Sequence, residues 1–423
     1  MRFRETSHTM IMVVDKACSR QTDHQEINLS SQAAPSPSNG PNAATTREFT
    51  APARVNLIGE HTDYTGGLVL PMAIPFFTIA SITPADSGYS FHSDLFREVR
   101  TMSPDDRSEG VHNWSDYPVG VLRELQLLSI EPPPFDLRLR GNVPFGAGLS
   151  SSASVEVATA VALLAHADVT LPAAEIALLC QRAENGYVHS PCGIMDQFVI
   201  TAARAGHALL LDTRSLTVEH IPMNHAALAD TCIVVCNSMV KHSIASGDYG
   251  QRRRELEAGQ AILREAFPQL RDLGDATIDE LKRSEGAMSA ESFKRCRHII
   301  TENARVRAAK QAMLAGDAIS LGELMLKAHA SERDDFECSC EEVDFLVDTA
   351  SHLQGCFGAR LTGGGFGGCT VNLVAKSSAT AFVATLKTAY LERYNIYPDT
   401  YICEAVDGAI ERIHPTQNKE SLI

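Results

Sequence analysis

Basic residues are in short supply in this 423-residue chain: 37 Lys and Arg stand against 52 Asp and Glu, for a net charge of −15. A chain of that sign is a poor non-specific partner for nucleic acid or for an anionic membrane surface. Any phosphate it binds must therefore be held locally, by backbone amides, a helix end or a metal ion. No apolar run approaches the roughly 20 residues that span a bilayer, and residues 10–14 are too short for the apolar centre of a secretory signal. The 11 cysteines contain no CxxC pair, and Cys338 and Cys340 are the only two close together. An odd, scattered set of thiols reads as a reduced, cytosolic protein with buried cysteines. Two common nucleotide signatures are missing as well. No lysine follows Gly146 and Gly148 as GxxxxGK[ST] requires, and GxGxxG would need glycine at Ser151.

The composition that remains, 44% hydrophobic and 21% charged, is that of a soluble globular protein. The length suggests two domains or one large two-lobed unit. Residues 30–46 are almost entirely Ser, Ala, Pro, Asn, Gln, Gly and Thr, which cannot bury enough apolar surface to offset ordering. Residues 1–46 are accordingly expected to be a flexible tail. Two further divisions, 47–220 and 221–423, are expected, with a boundary in 216–230. Strands are predicted at 68–82 (interrupted by prolines), 135–140, 208–212, 231–236 and 369–374. Helices are predicted at 155–167, 173–184, 250–267, 302–315, 321–331 and 379–394. No repeat of 20–50 residues occurs.

Four segments concentrate chemistry. In 141–167 a strand feeds a turn containing Gly146 and Gly148, and Ser150, Ser151 and Ser152 open a helix. Small residues let backbone approach a ligand, and the first amides of a helix have no internal partner. Together they form an anion site that needs no net positive charge. An ordinary serine-capped strand–turn–helix connection would carry the same residues. In 53–67, an apolar run ends in Glu60, His61 and Asp63, which could grip several hydroxyls of a sugar. A capped surface turn and a metal site are the alternatives there. In CGIMDQF (192–198), Asp196 stands among apolar neighbours and needs a partner, for which Arg54 is the candidate. Glu184 and Ser152 together would suit Mg²⁺, a hard cation that takes few protein oxygens, although Glu184 alone reads as a solvated helix-end carboxylate. Finally, LTGGGFGG (361–368) implies close backbone approach rather than a flexible linker, because a strand follows it and Phe366 interrupts it.

These segments, in this order, resemble the galactokinase family of the GHMP superfamily. RVNLIGEHTDY (54–64), GAGLSSSAS (146–154), CGIMDQF, NSMVKHSIASGDYGQRRRE (237–255) and LTGGGFGGC (361–369) carry the resemblance, which spans about 48–412. It implies a two-lobed α+β fold with the active site in the cleft between lobes. It also implies transfer of the ATP γ-phosphoryl group to the anomeric hydroxyl of galactose. Asp196 would be the catalytic base and Arg54 the residue that keeps it ionised. Glu60, His61, Asp63, Gly193 and Tyr249 match sugar-binding positions. Gly146, Gly148, Ser150 and Ser151 match the phosphate loop, and Ser152 and Glu184 the magnesium ligands. Trp114, the single tryptophan, and Tyr117 resemble the aromatic pair near the adenine, or are core aromatics. Lys241 stands where some relatives carry arginine. A cytoplasmic monomer is expected, with galactose and ATP as partners. Two rivals remain open: a kinase for N-acetylgalactosamine or another sugar, and a non-catalytic sugar sensor.

Overall fold

A computed structural model describes residues 45–241 and 248–412. The tail expected at 1–46 therefore falls almost wholly outside the described residues, as do residues 242–247 of the motif at 237–255 and the side chain of Lys241. The strands are β1 (Arg47–Asn56), β2 (Leu68–Val69), β3 (Pro71–Pro84), β4 (Tyr89–Ser93), β5 (Glu98–Met102), β6 (Phe135–Gly141), β7 (His207–Asp212), β8 (Thr217–Pro222), β9 (Thr231–Lys241), β10 (Cys356–Thr362), β11 (Gly367–Ala375), β12 (Asp399–Cys403) and β13 (Ile410–Arg412). The helices are α1 (Asp116–Leu127), α2 (Ser151–His166), α3 (Ala173–Arg182), α4 (Met195–Ala202), α5 (Asp248–Ala266), α6 (Ile278–Arg283), α7 (Ala290–Ala315), α8 (Ala318–Ser331), α9 (Glu341–His352) and α10 (Ala379–Tyr394). No helix of the described residues is long and apolar enough to cross a membrane.

Three sheets result, ordered β13-β1-β3-β6-β4-β5, β10-β11-β9-β12 and β2-β7-β8. The predicted strands all form, and β6 shows the expected alternation, with Phe135, Leu137 and Leu139 inward. The interruption expected from the prolines is partial: the strand breaks at Leu70, just before Pro71, whereas β3 runs through Pro75. The register between β1 and β3 shifts between Pro52 and Ala53, where the facing residues jump from Phe77 to Ile74. Pro75 and Phe76 are thus left out of the ladder, and a bulge is where a strand tolerates a residue with no N–H to donate.

Helix α2 is apolar on nearly every side because it is sandwiched. Ala153, Val157, Ala158, Leu163 and Leu164 pack with α1, α3, α4 and the first sheet in one core. Each fully buried Val or Leu contributes roughly 1.5–3 kcal/mol, so the start of α2 is firmly anchored. Two helices differ from the sequence expectation. α7 begins at Ala290, where Ser289 caps it by accepting the Ser292 N–H, well before residue 302. α3 ends at Arg182 and passes into a π turn, Ala183–Tyr187, that carries Glu184. Single π turns inside helices frequently mark functional positions.

The long helix α7 also holds the turn after β1. Glu302, fully buried, accepts the Gly59 N–H at 2.7 Å, and Asn303 Oδ1 accepts the Leu68 N–H at 2.8 Å. Both ends of the polar segment 59–68 are thereby fixed from the second half of the chain.

Candidate active site

The end of β1 aims Arg54 at the N-terminal turn of α4. Its Nε and Nη2 donate to the two carboxylate oxygens of Asp196 at 2.7 and 2.8 Å, and Nη1 donates to the Gly148 carbonyl at 2.7 Å. The fork geometry suits a carboxylate, and such charge-assisted bonds are the strong ones. Arg54 is buried, whereas the Asp196 side chain keeps 25% exposure. One face of the acid is therefore locked and the other is open to a ligand. The pairing proposed from sequence is present.

Ser150 joins them. It precedes α2 in the left-handed conformation, φ 62°, and its hydroxyl donates to Asp196. A non-glycine residue at positive φ is strained, and such strain collects at functional sites. Ser150 was read from sequence as part of the phosphate loop; that its hydroxyl also touches the acid was not anticipated. Gly146 and Gly148, also at positive φ, form the turn before it. Behind the turn lies the glycine-rich segment, where Cys369 donates its S–H to the Ala147 carbonyl at 2.9 Å.

Two cavities flank this cluster: Ser151 and Ser152 of the loop line the smaller, and Arg54 and Asp196 line the larger. The larger, about 730 Å³, is lined by Arg54, Glu60, His61, Asp63, Gly193, Asp196 and Tyr249. Residues from 54 to 196 form one wall, and Tyr249, Arg253, Gly363, Gly364 and Phe366 the other, so both halves of the chain contribute. All five positions read as sugar-binding are together here. Glu60 Oε1 accepts the Gly363 N–H at 2.8 Å. His61 stacks on Phe336 at 4.0 Å and bonds Tyr64 through Nδ1 at 3.0 Å, leaving Nε2 without a protein partner among the described residues. Burial, then the neighbouring His298 and Arg360 charges, holds its ring far below the usual histidine range, so it is neutral. Burial, reinforced by the charge of Asp196, pushes Asp63 up to about 7. Gly193 has to be glycine: a Cβ there would lie 1.7 Å from Asp63 Oδ2.

The second cavity, about 250 Å³, has an apolar lining that includes Phe96, Trp114, Tyr117 and Phe145, with Ser151 and Ser152 at one side. Trp114 lies parallel to Phe96 at 6.3 Å and donates from Nε1 to Glu98 at 2.7 Å. Sequence reasoning found Trp114 and Tyr117 but missed Phe96 and Phe145, because nothing local marks an exposed phenylalanine as a ligand contact.

Ser152, which lines the smaller cavity, lies close to Glu184. Gln197 donates to the same carboxylate at 2.7 Å and Cys192 at 3.4 Å. Burial and the Asp196 charge raise the Glu184 carboxyl, and among the described residues no side-chain cation pairs with it. A hard divalent cation would relieve that repulsion, and Ser152 with Glu184 offers it two oxygen donors, so the residues fit Mg²⁺.

A sheet-and-helix fold with a glycine–serine turn opening a helix beside an aromatic-lined cavity is that of the GHMP kinases. Family models agree: GHMP kinases N terminal domain over 116–204, GHMP kinases C terminal over 309–391, and Galactokinase galactose-binding signature over 42–84. A galactokinase of Roseiflexus sp. (strain RS-1) is 39% identical over 368 residues, covering 85% of this chain and 91% of that protein. The galactokinase of Homo sapiens is 38% identical over 375 residues, with 85% and 91% covered. The crystal structure of Lactococcus lactis galactokinase complexed with galactose superposes with a TM-score of 0.83 at 31% identity, covering 86% of this chain and 95% of that one. The Methanococcus jannaschii mevalonate kinase shares the fold, with a TM-score of 0.61 at 17% identity. This chain belongs to the galactokinase family.

Proposed function

We propose that the chain transfers the γ-phosphoryl group of ATP to the anomeric hydroxyl of galactose, releasing galactose 1-phosphate and ADP, as a cytoplasmic monomer. The observation that carries this is the Arg54–Asp196–Ser150 cluster, whose Arg54 and Asp196 line the larger cavity. Galactose occupies the larger cavity, held by Glu60, His61, Asp63, Gly193 and Tyr249. The adenine lies against Trp114 and Tyr117, and the amides of 146–151 cradle the phosphates. The sugar motif and phosphate loop belong to a domain at 47–220, the glycine-rich motif to one at 221–423. Asp196 takes the proton from the anomeric oxygen as that oxygen bonds the γ-phosphorus and the bond to ADP breaks. Phosphoryl transfer asks mainly for positioning and charge neutralisation. Magnesium, held by Ser152 and Glu184, supplies part of that neutralisation when bound.

A coupled assay of ADP release across hexoses tests the reading. Galactose should be turned over faster than N-acetylgalactosamine; the reverse order would sink the assignment. Sugar-dependent turnover of any kind excludes a pure sensor.

Two further results are expected in that assay. Gly193→Ala should raise the KM for galactose about 100-fold or more, because its methyl group displaces Asp63 from the cavity and forfeits a charged hydrogen bond. A KM within threefold of wild type would show that the close approach is dispensable. Second, the galactose KM should fall as pH rises through about 7, as Asp63 becomes an ionised acceptor. Asp63→Asn should abolish that pH dependence. Stability moves the other way. The folded chain binds this proton more tightly than the unfolded one, so the contribution is full below pH 3.8 and lost as pH rises through about 7.

A further inference from the structure

Just before the glycine-rich segment, β10 places Arg360, with no exposed surface at all. A fully buried cation is costly unless every side of it is compensated. Its Nη1 donates to the Asn56 carbonyl at 3.2 Å and to Glu60 Oε1 at 3.4 Å, and its Nη2 donates to Glu332. Glu332 is itself fully buried and opens the π turn Glu332–Phe336, whose Phe336 is the ring stacked on His61. Glu60 Oε1 also receives the Gly363 N–H, three residues beyond Arg360 on the same segment. One guanidinium thus touches the end of β1, the sugar-facing carboxylate and the turn that backs His61. Nothing in its own sequence context marks it for this.

We propose that Arg360 is a positioning residue of the sugar site: it fixes one oxygen of Glu60 so that the carboxylate is presented, oriented and charged, to a hydroxyl of the sugar. The inference rests on the sugar-kinase reading above. The charged and titratable groups facing Glu60 are Arg360 from β10, Arg54 from β1, Asp63 in its own turn, Glu332 from the π turn, the Cys338 thiol just beyond that turn, and His298 of α7 on its backbone carbonyl at 3.2 Å. Burial raises the Glu60 carboxyl, and Arg360 followed by Arg54 opposes that rise. Without Arg360, Glu60 holds its proton over a wider pH range and loses the charge that makes it a strong acceptor.

Steady-state kinetics on the full chain, with thermal unfolding as a check of folding, decide the matter. Arg360→Met should raise the galactose KM about 100-fold at neutral pH while kcat and the ATP KM stay within about threefold. The defect should shrink as pH is raised, since alkali re-ionises Glu60. Arg360→Lys keeps the charge but not the fork, and should cost about tenfold in galactose KM with little pH dependence. In a Glu60→Gln background, Arg360→Lys should add nothing further to the galactose KM. A folded Arg360 variant with unchanged galactose KM, or with equal losses for galactose and ATP, overturns the proposal. Should Arg360→Met fail to fold, the lysine variant and its Glu60→Gln cycle decide alone. Wild-type turnover of galactose separates the two questions. Its absence defeats the functional reading, whereas an active wild type without the KM split defeats only this inference.

Discussion

Asp196→Asn is expected to reduce kcat by roughly 10²–10⁴-fold, the range associated with losing a positioned general base, while the galactose KM changes by no more than about threefold. The substitution preserves volume and one acceptor oxygen, so the cavity keeps its shape. What disappears is the ability to take a proton and the charge that Arg54 and Ser150 are built around. In the native site both carboxylate oxygens are already used, by Nε and Nη2 of Arg54 and by the Ser150 hydroxyl. The amide must set its NH₂ group against one of these donors, so a modest loss of thermal stability accompanies the kinetic one. Turnover within tenfold of wild type would mean that Asp196 merely orients the sugar and that the proton leaves by another route.

Arg54→Met should produce the second-largest effect, on stability and turnover together. Removing one partner of a fully buried pair costs about 3–5 kcal/mol; because the Asp196 side chain retains 25% exposure, about 2–3 kcal/mol is expected here. The methionine also leaves the Gly148 carbonyl without its 2.7 Å donor, at the base of the phosphate loop. Asp196 would then face the charges of Asp63 and Glu184 with no cation beside it, and kcat should fall at least about 100-fold. Arg54→Lys restores charge but offers a single point of contact where three bonds were made, so its loss should be intermediate. A double-mutant cycle sharpens the test. Arg54→Met combined with Asp196→Asn should be more stable than Arg54→Met alone, because the orphaned charge is gone. Strict additivity in chemical unfolding would show that the pair is not coupled.

Much of the fold was legible because it is local. β6 alternates with period two, α2 is an unbroken apolar run, and β7, β9 and β11 are short apolar runs, whereas β8 and β10 were not anticipated. The site residues were legible for a different reason. Glu60, His61 and Asp63 sit within four residues of one another, the glycines and serines of 146–152 are contiguous, and a lone aspartate among apolar neighbours demands a cation. Even the pairing of Arg54 with Asp196, 142 residues apart, could be anticipated from that demand.

Other features belong to the tertiary structure alone. Sequence reasoning placed Ser150 among the phosphate contacts; only its left-handed backbone turns the hydroxyl onto Asp196. Glu302 and Asn303 read as ordinary polar residues of a helix, yet one lies against a backbone amide 243 residues away and both are buried. Arg360 and Glu332 gave no signal either, since a charged residue in a strand or at a helix end is normally solvated. Phe96 gained neighbours in Trp114 and Phe145 only when the β4–β5 hairpin met the segment before α1 and the glycine–serine loop. The loop at 146–152 illustrates both halves. Its glycines and serines follow from the residue types, which alone permit tight turns and free helix amides. Which of its hydroxyls meets Asp196 and which lies by Glu184 was decided by long-range packing, because the side a hydroxyl faces depends on partners that the local chain does not contain.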